Sequence, residues 1–192
     1  RIAELIHKTP AFAGIRAGLF VGSGKGRYRP GQAGRSPDRD HATMGADHVI
    51  TDKDILRDQP PDILLTNYKM LDFLLIRPKD QPLWRFNAPD TLRYLVVDEL
   101  HTFDGAQGTD LAMLIRRLRQ RLKGDPERLF CIGTSATLGD AGDTQPLRDY
   151  AGQIFAAAFD EHSVITEQRQ GFDAFIGDKV VAAMKRQAKE GE

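Results

Sequence analysis

Two acids stand side by side in YLVVDELH, residues 94–101. Asp98 and Glu99 follow a run of apolar residues, the pattern of a buried strand. A carboxylate is costly there without a counter-charge or hydrogen bonds. A hydrated Mg²⁺ ion bound to nucleotide phosphates would supply one, with Asp98 holding the metal's water shell and Glu99 orienting and deprotonating the attacking water. The bland reading of the same octet is that both acids cap the next helix or face solvent. His101, two residues on, either links the acidic pair to another element or is a hydrogen-bonded surface group. Three other apolar runs also lead to groups of interest: Gly22, Thr66 with Asn67, and Ser135 to Thr137.

The elements that must position these groups alternate. Helical spacing of Ile2, Leu5 and Ile6 predicts a helix over 1–8, closed by Pro10. A strand over 14–21 ends at Gly22. Thr51 or Asp52 caps a short helix through Ile55 and Leu56, stopped by Pro60-Pro61. DILL, 62–65, is a strand, and Thr66 or Asn67 opens a helix carrying Met70, Leu71, Leu74 and Leu75, ended by Arg77-Pro78. LRYLVV, 92–97, is the strand before the acids. Leu111, Leu114, Ile115, Leu118 and Leu122 form the buried stripe of a helix over 109–123, with arginines concentrated in its last turns, where the helix dipole favours them. LFCIG, 129–133, is a fourth strand, with Cys131 a small core residue. Helices over about 147–158 and 172–188 close the chain, with one more short strand at Val164-Ile165. Strands alternating with helices imply an α/β fold, a mostly parallel sheet covered on both faces. Ligands collect at the carboxyl ends of such strands, where the polar groups above would sit.

Composition narrows the class. The chain has 192 residues, 41% hydrophobic and 28% charged, with 27 basic and 27 acidic side chains. Collagen-like, mucin-like and fully disordered chains are excluded. A zero formal charge advertises no global field toward nucleic acid, although it can hide a basic face. With one cysteine, no disulfide can form within the chain. Apolar runs fall well short of the roughly 20 residues of a membrane span, and the reading places the protein in the cytoplasm. Residues 21–40 hold five basic and two acidic side chains. Arg27, Arg29, Arg35 and Arg39 there either attract phosphates or decorate a solvated loop. Trp84 and Phe86 either stack a base or pack over the sheet edge.

VVDELHTFDGAQGTD resembles motif II of superfamily 2 helicases, the DEAD/DEAH-box class, in a DELH form. GTSATL, 133–138, resembles the family's Ser-Ala-Thr motif. PDILLTNYKML, 61–71, resembles its Ib region. Order and separations match as well, and the resemblance covers most of 1–165. LLTNYKMLDFLLIRP with Gly105 and Gly108 is most similar to the large bacterial Hrq1-like and Lhr-like groups.

The resemblance implies a RecA-like P-loop NTPase fold, with ATP and Mg²⁺ as cofactors. Asp98 would contact Mg²⁺ through water, and Glu99 would be the catalytic base. His101 would contact motif III or the second motor domain, while Ser135 and Thr137 would couple nucleotide state to domain closure. Thr66, with Asn67 at the same helix start, would meet a phosphate of the nucleic-acid backbone. Gly22 would let the strand pass close to the backbone, and Arg27 and Arg29 would add phosphate attraction. Residues 1–165 would be the C-terminal portion of the first motor domain. Residues 166–192 would be a helical tail or linker toward a second RecA-like domain. The partner would be DNA rather than RNA, with 3′-to-5′ movement, in repair or defence.

The family also needs GxxxxGKS or GxxxxGKT before motif II. GSGKG, 22–26, is not that loop: the residue five before Gly24 is Leu19, and Gly26 replaces the Mg²⁺-binding hydroxyl. Arg1 is not an initiator methionine, and the first residues form neither a signal nor a transit peptide. The expectation is therefore a segment of a longer protein that lacks the Walker A strand and is inactive by itself. The strand before Ser135 would have an unpaired edge, open to an artificial dimer. The alternative function is a non-catalytic nucleic-acid-binding or assembly module with a degenerate motor.

Overall fold

The computed structural model describes residues 1–22, 41–122, 128–135 and 144–165. Five helices and four strands alternate: α1 (Ile2–Lys8), β1 (Ala17–Phe20), α2 (Lys53–Asp58), β2 (Ile63–Thr66), α3 (Tyr68–Ile76), β3 (Tyr94–Val97), α4 (Gly105–Leu122), β4 (Phe130–Gly133) and α5 (Gln145–Phe155). This is the expected α/β order. Asp52 is the cap of α2, its carboxylate accepting from the amides of Asp54 and Ile55. Asn67 caps α3, accepting from the Met70 amide at 2.8 Å. Each cap supplies an acceptor to N–H groups that a helix start leaves unpaired.

The strands differ from the expected single sheet. They form two parallel pairs, β1–β2 and β3–β4. Phe20 stands opposite Thr66 in one pair and Val97 opposite Gly133 in the other. Ile50 adds an isolated parallel bridge to Gly18. Among the described residues, β4 pairs with β3 and has no strand on its other side. The expectation of a strand at Val164-Ile165 is corrected: neither residue is in a strand, and Ile165 is 92% exposed. The Asp160 carboxylate instead caps a short turn over Glu161–Ser163. The predicted helix over 172–188 lies outside the described residues.

Each pair has its own core. Phe20, Ile50, Leu56, Leu74 and Leu83 pack around β1–β2. Leu100, Leu111, Ala112, Ile115, Ala151, Ile154 and Phe155 pack α4 and α5 together, with Leu95, Val97 and Cys131 of β3–β4 against them. Full burial of one such aliphatic side chain contributes about 1.5–3 kcal/mol. Helices α3 and α4 bridge the two halves: Arg117 pairs with Asp72 at 2.9 Å, and Tyr68 meets Phe103 edge-on, ring centres 5.4 Å apart. On the first side Asp80, fully buried, lies 2.7 Å from both Arg57 and Arg77. Two cations offset the desolvation of that carboxylate.

Burial alternates along β3. Leu95 and Val97 face the helices, while Tyr94 and Val96 are exposed together with Phe130 and Ile132 of β4. The tyrosine and phenylalanine rings stack, centres 5.6 Å apart. Among the described residues, helices cover one face of this pair. An apolar run specifies a strand without saying that both of its faces are packed.

Candidate active site and nucleic-acid interface

Parallel pairing places the carboxyl ends of β3 and β4 side by side. Asp98 and Glu99 leave one strand, and Thr134 and Ser135 leave the other. Thr134 is bonded to all four residues from Val97 to Leu100. Its amide donates to the Val97 carbonyl at 3.0 Å, and its carbonyl accepts from the Leu100 amide at 2.8 Å. Its hydroxyl accepts from the Glu99 amide at 3.1 Å and donates to the Asp98 carboxylate.

Glu99 occupies the left-handed region, with φ 52°. For a non-glycine residue this conformation costs about 1–2 kcal/mol. Bonds on both sides stabilise it: the Thr134 bonds just described, and the Thr102 amide and hydroxyl, each 2.8 Å from the Glu99 carbonyl. The turn leaves the Glu99 side chain 54% exposed and 3.4 Å from Nδ1 of His101. The same imidazole nitrogen shares a 3.0 Å hydrogen bond with Oγ of Ser135. His101 is therefore held between the second acid and the first residue of the Ser-Ala-Thr segment. Of the bland reading, capping of the next helix does not describe this arrangement, while exposure to solvent does hold for both acids. Glu99 precedes a short turn, Leu100–Thr102, and makes no side-chain cap bond.

The turn is anchored from behind. Leu100 is 3% exposed. The Tyr150 hydroxyl on α5 donates to the Phe103 carbonyl and lies 3.3 Å from that of Leu100. Burial, reinforced by the charge of Asp104, pushes the Tyr150 phenol above its ordinary value. Gly133 and Gly108 permit close approach: a Cβ at Gly133 would stand 2.6 Å from Leu100 Cδ2, and one at Gly108 2.6 Å from the Phe103 carbonyl oxygen.

The second cluster lies at the carboxyl ends of β1 and β2. The Thr66 hydroxyl donates to the Phe20 carbonyl at 2.6 Å, while Asn67 caps α3. Gly22 is exposed beside them, and a Cβ there would make ordinary contact with Met70, at 3.7 Å. Gly22, Thr66 and Asn67 are thus neighbours. Thr66 is committed to a backbone bond within the fold, a demand that the sequence does not reveal. Thr137, Arg27, Arg29, Arg35 and Arg39 lie outside the described residues.

Of the other candidates, Trp84 resolves as packing and Phe86 does not. The Trp84 indole donates to the Leu74 carbonyl at 2.8 Å and packs against the first core. Phe86 is 68% exposed, with the Arg85 guanidinium 4.6 Å over its ring. Burial pushes the Cys131 thiol up, against an opposing effect of Arg119. This favours an inert core thiol.

Among the described residues, no group of three or more histidines, cysteines or acids is placed to hold a metal ion. Such a site does not hold a dehydrated cation by itself. It does suit Mg²⁺, which usually keeps several waters and binds through one or two carboxylates plus phosphates. Asp98 and Glu99 are both exposed at the strand end. Among those residues, no helix is long and apolar enough to cross a membrane.

Thr134 and Tyr150 are missed by sequence reasoning about function. The register signals Thr134, because pairing Val97 with Gly133 puts the next two residues opposite one another. Nothing in the sequence around Tyr150 ties it to residues 100–103.

Comparison with known proteins shows the family. The family profile described as DEAD/DEAH box helicase matches residues 34–144, more than half of the chain. The Druantia protein DruE of Escherichia coli is 36% identical over 107 residues, 53% of this chain and 6% of that protein. An uncharacterized ATP-dependent helicase of Methanocaldococcus jannaschii is 35% identical over 86 residues, 45% of this chain and 12% of that protein. ATP-dependent helicase Lhr-Core of Methanothermobacter thermautotrophicus is 34% identical over 106 residues, 55% of this chain and 11% of that protein. The matched parts are thus about a tenth or less of these relatives' lengths. No solved structure matches the chain. The motifs, their order and the profile match agree: this chain belongs to the DEAD/DEAH box helicase family.

Proposed function

We propose that residues 1–165 are part of the first RecA-like motor domain of an ATP-dependent DNA helicase or translocase. In this reading, 166–192 lead toward a second motor domain, and the protein works in the cytoplasm. The observation that carries it is the meeting of His101 with Ser135 and Glu99 at the paired ends of β3 and β4. The contact joins the acids to the segment that would sense domain closure.

Asp98 and Glu99 then divide the work. Asp98 would hold Mg²⁺ through its water shell, and the ion would supply charge screening at the phosphates. Glu99 accepts the proton of the attacking water. His101 restrains the Glu99 carboxylate and passes its position to Ser135. Thr137 completes the coupling segment. At the other strand pair, Gly22, Thr66 and Asn67 border the path of the nucleic acid, the Asn67 cap opening a helix whose first amides favour a phosphate. Arg27 and Arg29 add salt-dependent attraction. The sequence has no GxxxxGKS or GxxxxGKT loop, so the 192-residue chain alone is expected to be inactive.

Steady-state ATP hydrolysis by the full-length natural protein, with single-stranded DNA, with RNA and with neither, tests the reading. Stimulation by DNA above RNA is expected. Nucleic-acid binding without stimulated turnover would favour the alternative, a non-catalytic module for binding or assembly.

A further inference from the structure

We propose that Thr134 is a positioning residue for the acidic pair: one hydroxyl sets the Asp98 carboxylate and the Glu99 backbone together. The inference rests on the ATPase reading above but concerns a residue outside the Asp98, Glu99, His101, Ser135 and Thr137 set. A threonine hydroxyl has one hydrogen and two acceptor lone pairs. Here the hydrogen goes to Oδ1 of Asp98, and a lone pair takes the Glu99 amide at 3.1 Å. The Asp98 carboxylate is thereby fixed through one oxygen and keeps the other for a hydrated cation. The Glu99 amide is held at φ 52°, with the side chain 3.4 Å from Nδ1 of His101.

The main chain of Thr134 completes the clamp. Its amide and carbonyl bind Val97 and Leu100, at 3.0 and 2.8 Å, so the backbone that carries the hydroxyl is fixed beside the two acids. Ser135, the next residue, holds His101. A displacement of the end of β4 is therefore felt by Asp98, Glu99 and His101 together. Glycine, alanine or valine at 134 would leave the backbone bonds and remove both hydroxyl bonds. Serine would keep them.

The test uses the full-length natural protein with Thr134→Val, which keeps the side-chain shape, and Thr134→Ser, which keeps the hydroxyl. DNA-stimulated ATPase and amide hydrogen exchange at Glu99 and Leu100 are measured on each. Loss of a group that orients a metal-facing ligand costs about 10–100-fold in activity or affinity. The valine variant is expected to lose that much in kcat with little change in KM for DNA, and to exchange faster at Glu99 while α4 amides stay protected. The serine variant is expected to restore both properties. Unchanged exchange at Glu99, or turnover by the valine variant within about twofold of the parent while Glu99→Gln abolishes it, would overturn the proposal. If the parent shows no stimulated turnover, the ATPase reading fails and exchange alone decides: faster exchange in the valine variant, reversed by serine, upholds the positioning, and unchanged exchange overturns it.

Discussion

At Gly108 a missing methyl group decides how closely α4 approaches the turn after the acids. Alanine is the better helix former by about 1 kcal/mol, so on an open helix face the change would stabilise. Here the added carbon would stand 2.6 Å from a backbone oxygen, that of Phe103, and 3.4 Å from Ile154. Backbone cannot move aside as a flexible side chain can. Gly108→Ala is expected to destabilise the chain by about 1–3 kcal/mol, read as a lower urea midpoint. A higher midpoint would contradict the packing. Residue-scale features were unevenly legible in the sequence. The caps are legible to within one residue, Thr51 or Asp52 and Thr66 or Asn67, because the cap bond is local, spanning two or three positions. The left-handed Glu99 is hidden, because bonds from Thr134, 35 positions away, help to hold it there. Spacing and family resemblance put Asp98, Glu99, His101 and Ser135 at one sheet edge, yet the atoms that hold them together follow only from register.

Among the elements, α5 shows how a helix outside the motifs supports them. Its sequence declares an amphipathic helix, and its apolar residues Ala151, Ile154 and Phe155 are buried as the pattern requires. What the pattern does not contain is the Tyr150 bond to the Phe103 carbonyl, which fixes the turn from behind. The phenol lies above its ordinary value of 10.0 because burial and Asp104 oppose the phenolate. A group raised on folding stabilises the fold fully below its unfolded value and loses that contribution as pH rises through the folded value. Stability is therefore expected to decline from about pH 10 upward, and Tyr150→Phe to flatten this decline. The same variant is expected to lose about 0.5–1.5 kcal/mol at neutral pH for the hydrogen bond. Urea unfolding at a series of pH values measures both, and identical alkaline slopes would contradict the assignment. Strands were legible in position but not in partnership. LRYLVV and LFCIG are apolar enough for burial on two faces, yet Tyr94, Val96, Phe130 and Ile132 stay exposed. A period of two marks the faces of a strand and leaves open what covers them.

At the largest scale, the described residues form two parallel pairs with separate cores, linked where α3 meets α4. One pair carries the acids and Ser135, the other Gly22, Thr66 and Asn67. This division matches the division of labour proposed for ATP and nucleic acid, with Tyr68 against Phe103 and Asp72 against Arg117 connecting the halves. The α/β order was legible because each element carries its own period and caps. Its assembly into two pairs was not, since strand pairing depends on contacts distant in sequence. Under the proposed function Glu99 does the proton chemistry of ATP hydrolysis. The most direct test compares the full-length natural protein with Glu99→Gln, measuring ATP binding and DNA-stimulated turnover on the same preparations. The amide keeps the size of the side chain and removes the proton acceptor. ATP binding within about threefold of the parent is expected, with turnover reduced at least about 100-fold. Stimulated turnover in the glutamine variant equal to that of the parent would contradict this role.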